Sequence, residues 1–95
     1  MTRKELLAKA TNIVTGERDA QYGGPEDNFN RIAELWNAYL GEPDKLGPED
    51  VAVMMMLLKI ARIAASEYKS MDSSVDIAGY AACGAEIASR GGTGA

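Results

Sequence analysis

Histidine is absent from this chain, and cysteine occurs once, as Cys83. The absence of histidine removes the most frequent general base and every histidine-based metal site. A single cysteine cannot form a disulfide within the chain, which favours a protein of a reducing compartment. Aromatic residues make up only 6% of the sequence, while alanine and methionine supply much of the 46% hydrophobic content. This composition favours helices over strands.

Charge and hydrophobic runs set further limits on function. The 95 residues include 10 basic and 14 acidic side chains, for a net charge of −4, with no block of like charge. A general nucleic-acid-binding surface is therefore disfavoured, although a local basic pocket is compatible with these numbers. The longest apolar run, Val51 to Leu58, is too short to span a bilayer, and no signal-peptide pattern opens the sequence. We expect a cytoplasmic protein with no membrane partner and no nucleic-acid partner.

The first half of the chain carries signals for two helices. Thr2 and Glu5 have the spacing of a capping box, and an apolar helical face follows, which predicts a first helix at roughly residues 3 to 15. Pro25 suits the first turn of a second helix. The sequence from Gly41 to Gly47 is rich in turn residues and predicts a connector.

The second half predicts two more helices. Pro48 begins a third helix that runs to about Ser66, and a fourth begins near Asp72 or Ser73. Small residues in the fourth helix allow another backbone to come close. We therefore predict an all-α, four-helix bundle with short connections.

The third helix is apolar on every side over its stretch VAVMMMLL. Such a helix should be covered all round, and three other helices are too few for that in a chain of this length. This pattern predicts a homodimer or higher homo-oligomer. The chain is expected to form one helical domain over residues 1–90, followed by a flexible glycine-rich tail at 91–95.

Lys59 and Arg62 are three residues apart and hence neighbours on one face of the third helix. In a structural interpretation, Lys59 extends its charge to solvent and Arg62 pairs with a carboxylate of the fourth helix. In a functional interpretation, the two cations form a phosphate clamp, because an arginine fork and a lysine point charge suit a di- or triphosphate. Both interpretations are open at this point.

Asp72, Asp76 and Tyr80 are spaced by four and so lie along one face of the fourth helix. Asp76 fits the acid of a helix cap in which Ser73 is the partner. It also fits a metal ligand, or an ion-pair partner of either Lys59 or Arg62.

Acid pairs follow two of the prolines, as Glu26-Asp27 and Glu49-Asp50. Carboxylates from two or three helices can hold Mg²⁺ against the phosphates of a substrate. The same acids also complement the positive end of a helix dipole, with no further function.

Tyr22 lies between two predicted helices and has no periodic reason to be there. Phe29 and Trp36 have core spacing on the second helix, whereas Tyr22 is followed by Gly23 and Gly24. It is a candidate for stacking on a base or for covering a pocket. The alternative is a hydrophobic staple onto the second helix.

Three segments together resemble a known family. ERDAQYGGPEDNFNRIAELWNAYL, EDVAVMMMLLKIARI and DSSVDIAGYAACGAEI, in this order, are similar to small phage and prophage proteins described as MazG-like, which are related to all-α nucleotide pyrophosphohydrolases. The resemblance covers residues from about 17 to 88. It depends on a tyrosine-glycine loop, a Lys-x-x-Arg and an Asp-x-x-x-Tyr.

The resemblance implies an oligomeric helical bundle that holds a nucleotide between its helices, in the host cytoplasm if the chain is phage-encoded. In active members, Mg²⁺ held by carboxylates assists the attack of water between the α- and β-phosphates, which releases a monophosphate and pyrophosphate. Asp76 matches the aspartate of the second acidic motif and, with Glu49 and Asp50, forms the candidate catalytic set. The candidate metal ligands are these three and Glu26. The candidate substrate-binding residues are Lys59, Arg62, Tyr22, Tyr80 and Asn28.

The sequence departs from the acidic motifs of active members. Their first motif has two adjacent glutamates and a third glutamate three residues later. The nearest equivalents here are Glu26-Asp27 followed by Asn30, or Glu49-Asp50 followed by Val53. Ser73 stands where the second motif has glutamate. Three functions therefore compete: a Mg²⁺-dependent nucleoside triphosphate pyrophosphohydrolase acting on the nucleotide pool during infection, a non-catalytic binder of a signalling or cyclic nucleotide, and a structural interaction module.

Overall fold

The protein is described by a computed structural model that covers residues 1–16 and 24–90 and contains four helices. Their bounds are as follows: α1 is Arg3–Thr15, α2 is Pro25–Leu40, α3 is Pro48–Ala65 and α4 is Met71–Arg90. No strand occurs in these two ranges, so the prediction of an all-α fold is confirmed. Within the same residues, no helix combines the length and the hydropathy needed to cross a membrane. The predicted tail at 91–95 lies outside the described residues.

Local chemistry sets the beginnings of the first three helices. The hydroxyl of Thr2 accepts a hydrogen bond from the Glu5 backbone N–H at 3.1 Å, and the Glu5 carboxylate accepts from the Thr2 N–H at 3.4 Å. This confirms the predicted capping box. Pro25 and Pro48 occupy the first positions of α2 and α3. Proline is suited to this position because its missing N–H would have no partner inside the helix.

The α3–α4 turn begins with unusual backbone geometry and ends with a side-chain cap. Glu67 and Tyr68 have φ values of 55° and 68°, and the Tyr68 N–H donates to the Ile63 carbonyl at 2.9 Å, which closes α3. The hydroxyl oxygen of Ser70 then accepts from the Ser73 N–H at 3.4 Å. Helix α4 therefore begins at Met71, slightly earlier than predicted.

The position of Ser70 corrects one interpretation of the sequence. Ser70 serves as the side-chain acceptor at the start of α4, whereas Ser73 is buried inside the first turn. Asp76 is consequently one turn too far along α4 to belong to a cap with Ser73. The cap interpretation of Asp76 was wrong, because the helix starts before Ser73.

The helices pack around α4. The most extensive contact joins α3 and α4, α1 packs mainly on α4, and α2 packs mainly on α3. A Cβ added at Gly84 would lie 2.8 Å from the Ala52 Cβ, so the absence of a side chain at Gly84 brings α3 and α4 close. The buried core cluster comprises Phe29, Ala33, Val51, Ala52 and Ile87, with Trp36 partly buried against it. The core roles predicted for Phe29 and Trp36 are therefore confirmed.

The α2–α3 connector is held by a buried amide. Asn37 donates to the Leu46 carbonyl at 3.0 Å and accepts from the Leu46 N–H at 2.9 Å. Gly41 ends α2 with φ of 69°, a left-handed conformation that glycine adopts without steric cost. The connector predicted from turn residues is thus a fixed turn that sets α3 against α2.

Helix α3 is covered on one side only. Val51 and Ala52 are fully buried, whereas five large apolar side chains of the same helix are exposed: Val53, Met54, Leu57, Leu58 and Ile60. The other three helices therefore leave one side of α3 uncovered. This agrees with the expectation that three helices are too few to cover it all round.

Candidate functional site

An ion pair joins the two helices that carry most of the candidate residues. The ammonium Nζ of Lys59 on α3 lies 2.9 Å from Oδ2 of Asp76 on α4. The two side chains are only 14% and 31% exposed. A pair with so little exposure is screened less by water and salt than a surface pair. Asp76 is thus the partner of Lys59, one of the alternatives that the sequence left open.

Asp76 also lines a cavity between α1, α2 and α4, with one contribution from α3. The cavity has a volume of about 140 Å³. Its lining is largely apolar and comprises Ala10, Ile13, Val14, Pro25, Asn28, Phe29, Ile32, Met55, Val75, Asp76, Gly79, Tyr80 and Cys83. A few polar groups in an apolar wall are typical of sites that bind small molecules.

Two aromatic rings and two polar side chains give this cavity its chemical character. The rings of Phe29 and Tyr80 have centroids 6.0 Å apart and are tilted by 34°. Asn28 offers both a donor and an acceptor, and the Asp76 carboxylate offers acceptors only. Three of the predicted site residues, Asn28, Asp76 and Tyr80, therefore lie together in one cavity.

Arg62 lies apart from this ion pair. It is exposed on α3, and within residues 1–16 and 24–90 the ion pairs found do not include it. The structural interpretation expected Lys59 to reach solvent and Arg62 to pair with α4. The reverse is found, because Lys59 faces α4 and pairs there with Asp76.

The remaining candidate carboxylates are not partners of Lys59. Glu26 pairs with Arg90 at 3.6 Å, and Asp50 accepts from the Gly47 backbone N–H at 2.8 Å at the start of α3. Glu49 is exposed at the same helix start. In the described part of the chain, no group of three or more Cys, Asp or Glu residues could hold a metal ion.

The described carboxylates therefore do not fit a resident Mg²⁺ on their own. Asp50 and Glu26 have roles at helix ends that need no metal. Phosphate oxygens of a ligand can complete a Mg²⁺ site, so the requirement for Mg²⁺ stays a prediction.

Tyr22 and Gly23 lie outside the described residues, so the role predicted for the tyrosine loop stays a prediction. In contrast, α1 contributes a wall of the cavity that the sequence did not predict. Val14 lies close to α4, since a Cβ added at Gly79 would be 3.1 Å from its Cγ1. The signal was the apolar face of α1 together with a glycine in α4, but neither feature says which helices meet.

The fold and the cavity define a small helical protein with room for a ligand between its helices. The chain belongs to the family described as a domain of unknown function, DUF6378, which matches residues 5–88. It is similar to the Gene 55 protein of Mycobacterium phage L5, with 50% identity over 76 residues, 80% of this chain and 47% of that protein. It is also similar to the Gene 55 protein of Mycobacterium phage D29, with 41% identity over 80 residues, 84% of this chain and 51% of that protein.

The chain thus spans about half the length of the curated relatives that it matches. No solved structure shows a significant match to it. These two relatives are phage proteins, and neither their names nor the description of the family refers to nucleotides or to MazG.

Proposed function

We propose that this protein is a MazG-like nucleotide-binding protein that holds the base of a nucleotide in the cavity between α1, α2 and α4. The observation that carries the proposal is the combination of Phe29, Tyr80, Asn28 and Asp76 around one cavity. The resemblance of the sequence to MazG-like phage proteins supports the same ligand class.

The size of the cavity suits one aromatic ring. An apolar protein cavity of roughly 150 Å³ admits a benzene molecule, and the volume here is about 140 Å³. The cavity would therefore take the base, while the sugar and phosphates would lie outside it. A base gains stacking energy from neighbouring aromatic side chains, of which Phe29 and Tyr80 are two.

The polar groups supply recognition of the edge of the base. The Asn28 amide can pair with a donor and an acceptor at once, and the Asp76 carboxylate can accept from a ring N–H or an exocyclic amine. Lys59 holds Asp76 from the other side, at 2.9 Å. Its role in this proposal is to hold that carboxylate in place.

Cations near the cavity would receive the phosphates. Lys59 contacts Asp76, which lines the cavity, and Arg62 is the neighbour of Lys59 three residues further along α3. Arg62 is exposed, and the fork of an arginine guanidinium is well suited to a phosphate group. Tyr22 is retained in the proposal as a residue that covers the bound nucleotide.

We favour binding without hydrolysis, because the candidate carboxylates Asp76, Glu26 and Asp50 each have a different partner. A Mg²⁺-dependent pyrophosphohydrolase is the alternative, supported by the family resemblance. The phage origin of the relatives supports a role during infection, in the host cytoplasm, either on the nucleotide pool or in the capture of a signalling or cyclic nucleotide.

Self-association is a separate part of the proposal. Five large apolar side chains of α3 are exposed in the single chain. Exposed apolar surface of this extent on one helix is typical of an interaction site. We therefore propose that the chain is a homo-oligomer.

The test of nucleotide binding is calorimetric titration of the purified protein with a panel of nucleoside mono- and triphosphates, with and without Mg²⁺. The informative variant is Asn28→Ala, with Asn30→Ala as its matched control, because Asn30 is exposed on the same helix and does not line the cavity. The loss of one or two hydrogen bonds to the base should weaken binding about tenfold in Asn28→Ala. Asn30→Ala should bind as the unmodified protein does.

The two outcomes that matter are distinct. If no nucleotide of the panel binds, or if both asparagine variants bind equally well, the base is not held in this cavity. Release of pyrophosphate in the presence of Mg²⁺, abolished by Asp76→Asn and retained in Asp72→Asn, would replace the binder by the enzyme.

A further inference from the structure

The exposed apolar residues of α3 follow a regular pattern. Asp50, Met54, Leu57, Ala61 and Ala64 are separated by four, three, four and three residues, and all five are exposed. This is the seven-residue spacing by which one helix faces another over its whole length. We call these five residues the α3 seam. Val53, Leu58 and Ile60 flank the seam on both sides and are also exposed.

We infer that two copies of the chain pair through the α3 seam in antiparallel orientation, about a twofold axis near Leu57. The inference extends the proposed self-association, on which it rests, by naming its surface and its geometry. It does not depend on nucleotide binding.

Charge selects the antiparallel orientation. Asp50, at the N-terminal end, is the one charged residue of the seam. In a parallel pair the two Asp50 carboxylates would face each other and repel. In an antiparallel pair each lies opposite Ala64 of the other copy, about 21 Å from its counterpart, for 14 residues at about 1.5 Å each. Physiological salt screens charges at that separation, since the Debye length is about 8 Å.

Side-chain size selects the same orientation. The N-terminal half of the seam carries Met54, and the C-terminal half carries Ala61 and Ala64. An antiparallel pair places Met54 of one copy opposite Ala61 of the other, with Leu57 near Leu57 on the axis. A parallel pair would place alanine opposite alanine and leave a gap, which loses packing contacts. The seam is therefore complementary to itself when reversed, which an interface about a twofold axis requires.

The residues that flank the seam favour a bundle of several helices, formed by two copies of the chain, over a coiled coil of two α3 helices alone. Charged residues usually flank the seam of a two-stranded coiled coil, whereas Val53, Leu58 and Ile60 stand here. Apolar flanks widen the contact, as in bundles where each helix meets two or more others. Two copies that each contribute α3 and its neighbouring helices provide such a bundle.

The first experiment measures mass by sedimentation equilibrium over a series of concentrations. We expect the unmodified chain to be a dimer and Leu57→Glu to be a monomer. The matched control is Leu7→Glu, because Leu7 on α1 and Leu57 on α3 are both 59% exposed in the single chain. Two glutamates on the axis of the pair would bury like charges, so the dissociation constant should rise at least about 100-fold. Leu7→Glu should remain a dimer, and circular dichroism should show unchanged helix content in both variants.

The second experiment tests the orientation by disulfide formation. Met54→Cys and Ala61→Cys in the same chain should form a covalent dimer under oxidation, because each new cysteine lies opposite the other in the partner copy. Met54→Cys alone should not form one. The unmodified chain, which contains Cys83, reports any background reaction.

The outcomes distinguish the antiparallel α3 seam from self-association in general. A monomer at every concentration overturns both the self-association and the seam. A dimer that Leu57→Glu does not dissociate, or one that Met54→Cys alone cross-links, overturns the antiparallel seam and leaves another surface for self-association.

Discussion

The ion pair between Lys59 and Asp76 permits a quantitative test of how α3 and α4 are held together. The perturbation is a double-mutant cycle of Lys59→Met, Asp76→Asn and the two combined. At the observed separation of 2.9 Å, the Coulomb attraction is about 1.4 kcal/mol in bulk water and about 5.7 kcal/mol at an effective dielectric constant of 20. Desolvation and loss of side-chain freedom offset part of this attraction. We expect a coupling free energy of about 1–2 kcal/mol, because the pair is mostly shielded from solvent.

The chain provides a matched control for this cycle. Lys9 and Asp72 also join two helices, with Nζ and Oδ1 3.6 Å apart, but their side chains are 50% and 89% exposed. The cycle of Lys9→Met and Asp72→Asn should give a coupling of about 0–0.5 kcal/mol. The assay is urea unfolding followed by circular dichroism, at one fixed chain concentration so that self-association contributes equally to every variant.

Equal coupling energies in the two cycles would refute the claim that the Lys59–Asp76 pair is shielded from solvent. The claim would also be refuted if high salt removed the coupling of Lys59 and Asp76, because shielded pairs respond weakly to salt. Either result would mean that the pair behaves as a surface contact and that Lys59 is free to serve a ligand.

Two further predictions concern packing. Asn37→Ala should lower the free energy of unfolding by about 2–3 kcal/mol, because it removes two hydrogen bonds and leaves the Leu46 backbone unpaired beside α2. Asn30→Ala, on the exposed face of the same helix, should change it by less than about 0.5 kcal/mol. Urea unfolding measures both variants, and similar values would contradict the structural role of Asn37. Gly84→Ala should cost about 1–2 kcal/mol, since its Cβ would meet the Ala52 Cβ at 2.8 Å. Gly79→Ala should lower the free energy of unfolding less, because its Cβ would meet only the Val14 side chain, at 3.1 Å, while the gain in helix propensity is the same at both positions. Urea unfolding measures both variants, and the reverse order would contradict this account.

Sequence reasoning predicted the helix starts whose chemistry is local. Thr2 with Glu5, Pro25 and Pro48 each act within one turn, so their spacing is sufficient. The start of α4 was placed late because Ser70 offers the same acceptor as Ser73, and the spacing of serines alone does not say which one is used. The all-α architecture followed from these signals and from the apolar periodicity.

The candidate site was predicted only in part. Asp76 could be assigned to a cap, a metal or a cation from its sequence, and the choice depended on how α3 and α4 are rotated against each other. That rotation is set by close approach at Gly84 and Ala52, which are far apart in the chain. The position of α1 against Gly79 is likewise a result of packing, so the cavity could not be predicted from periodicity.

The weak attachment of α1 has a consequence for the motions of the molecule. Helix α1 packs mainly on α4, and Ala10 is its one buried residue, yet α1 supplies a wall of the cavity. Elements with few buried contacts open at the lowest free energy, well before the whole domain unfolds. We therefore expect the cavity to open by transient detachment of α1, while α3 and α4 remain together. Amide hydrogens of α1 would then exchange with solvent faster than those of the other three helices, and any compound bound in the cavity would slow that exchange.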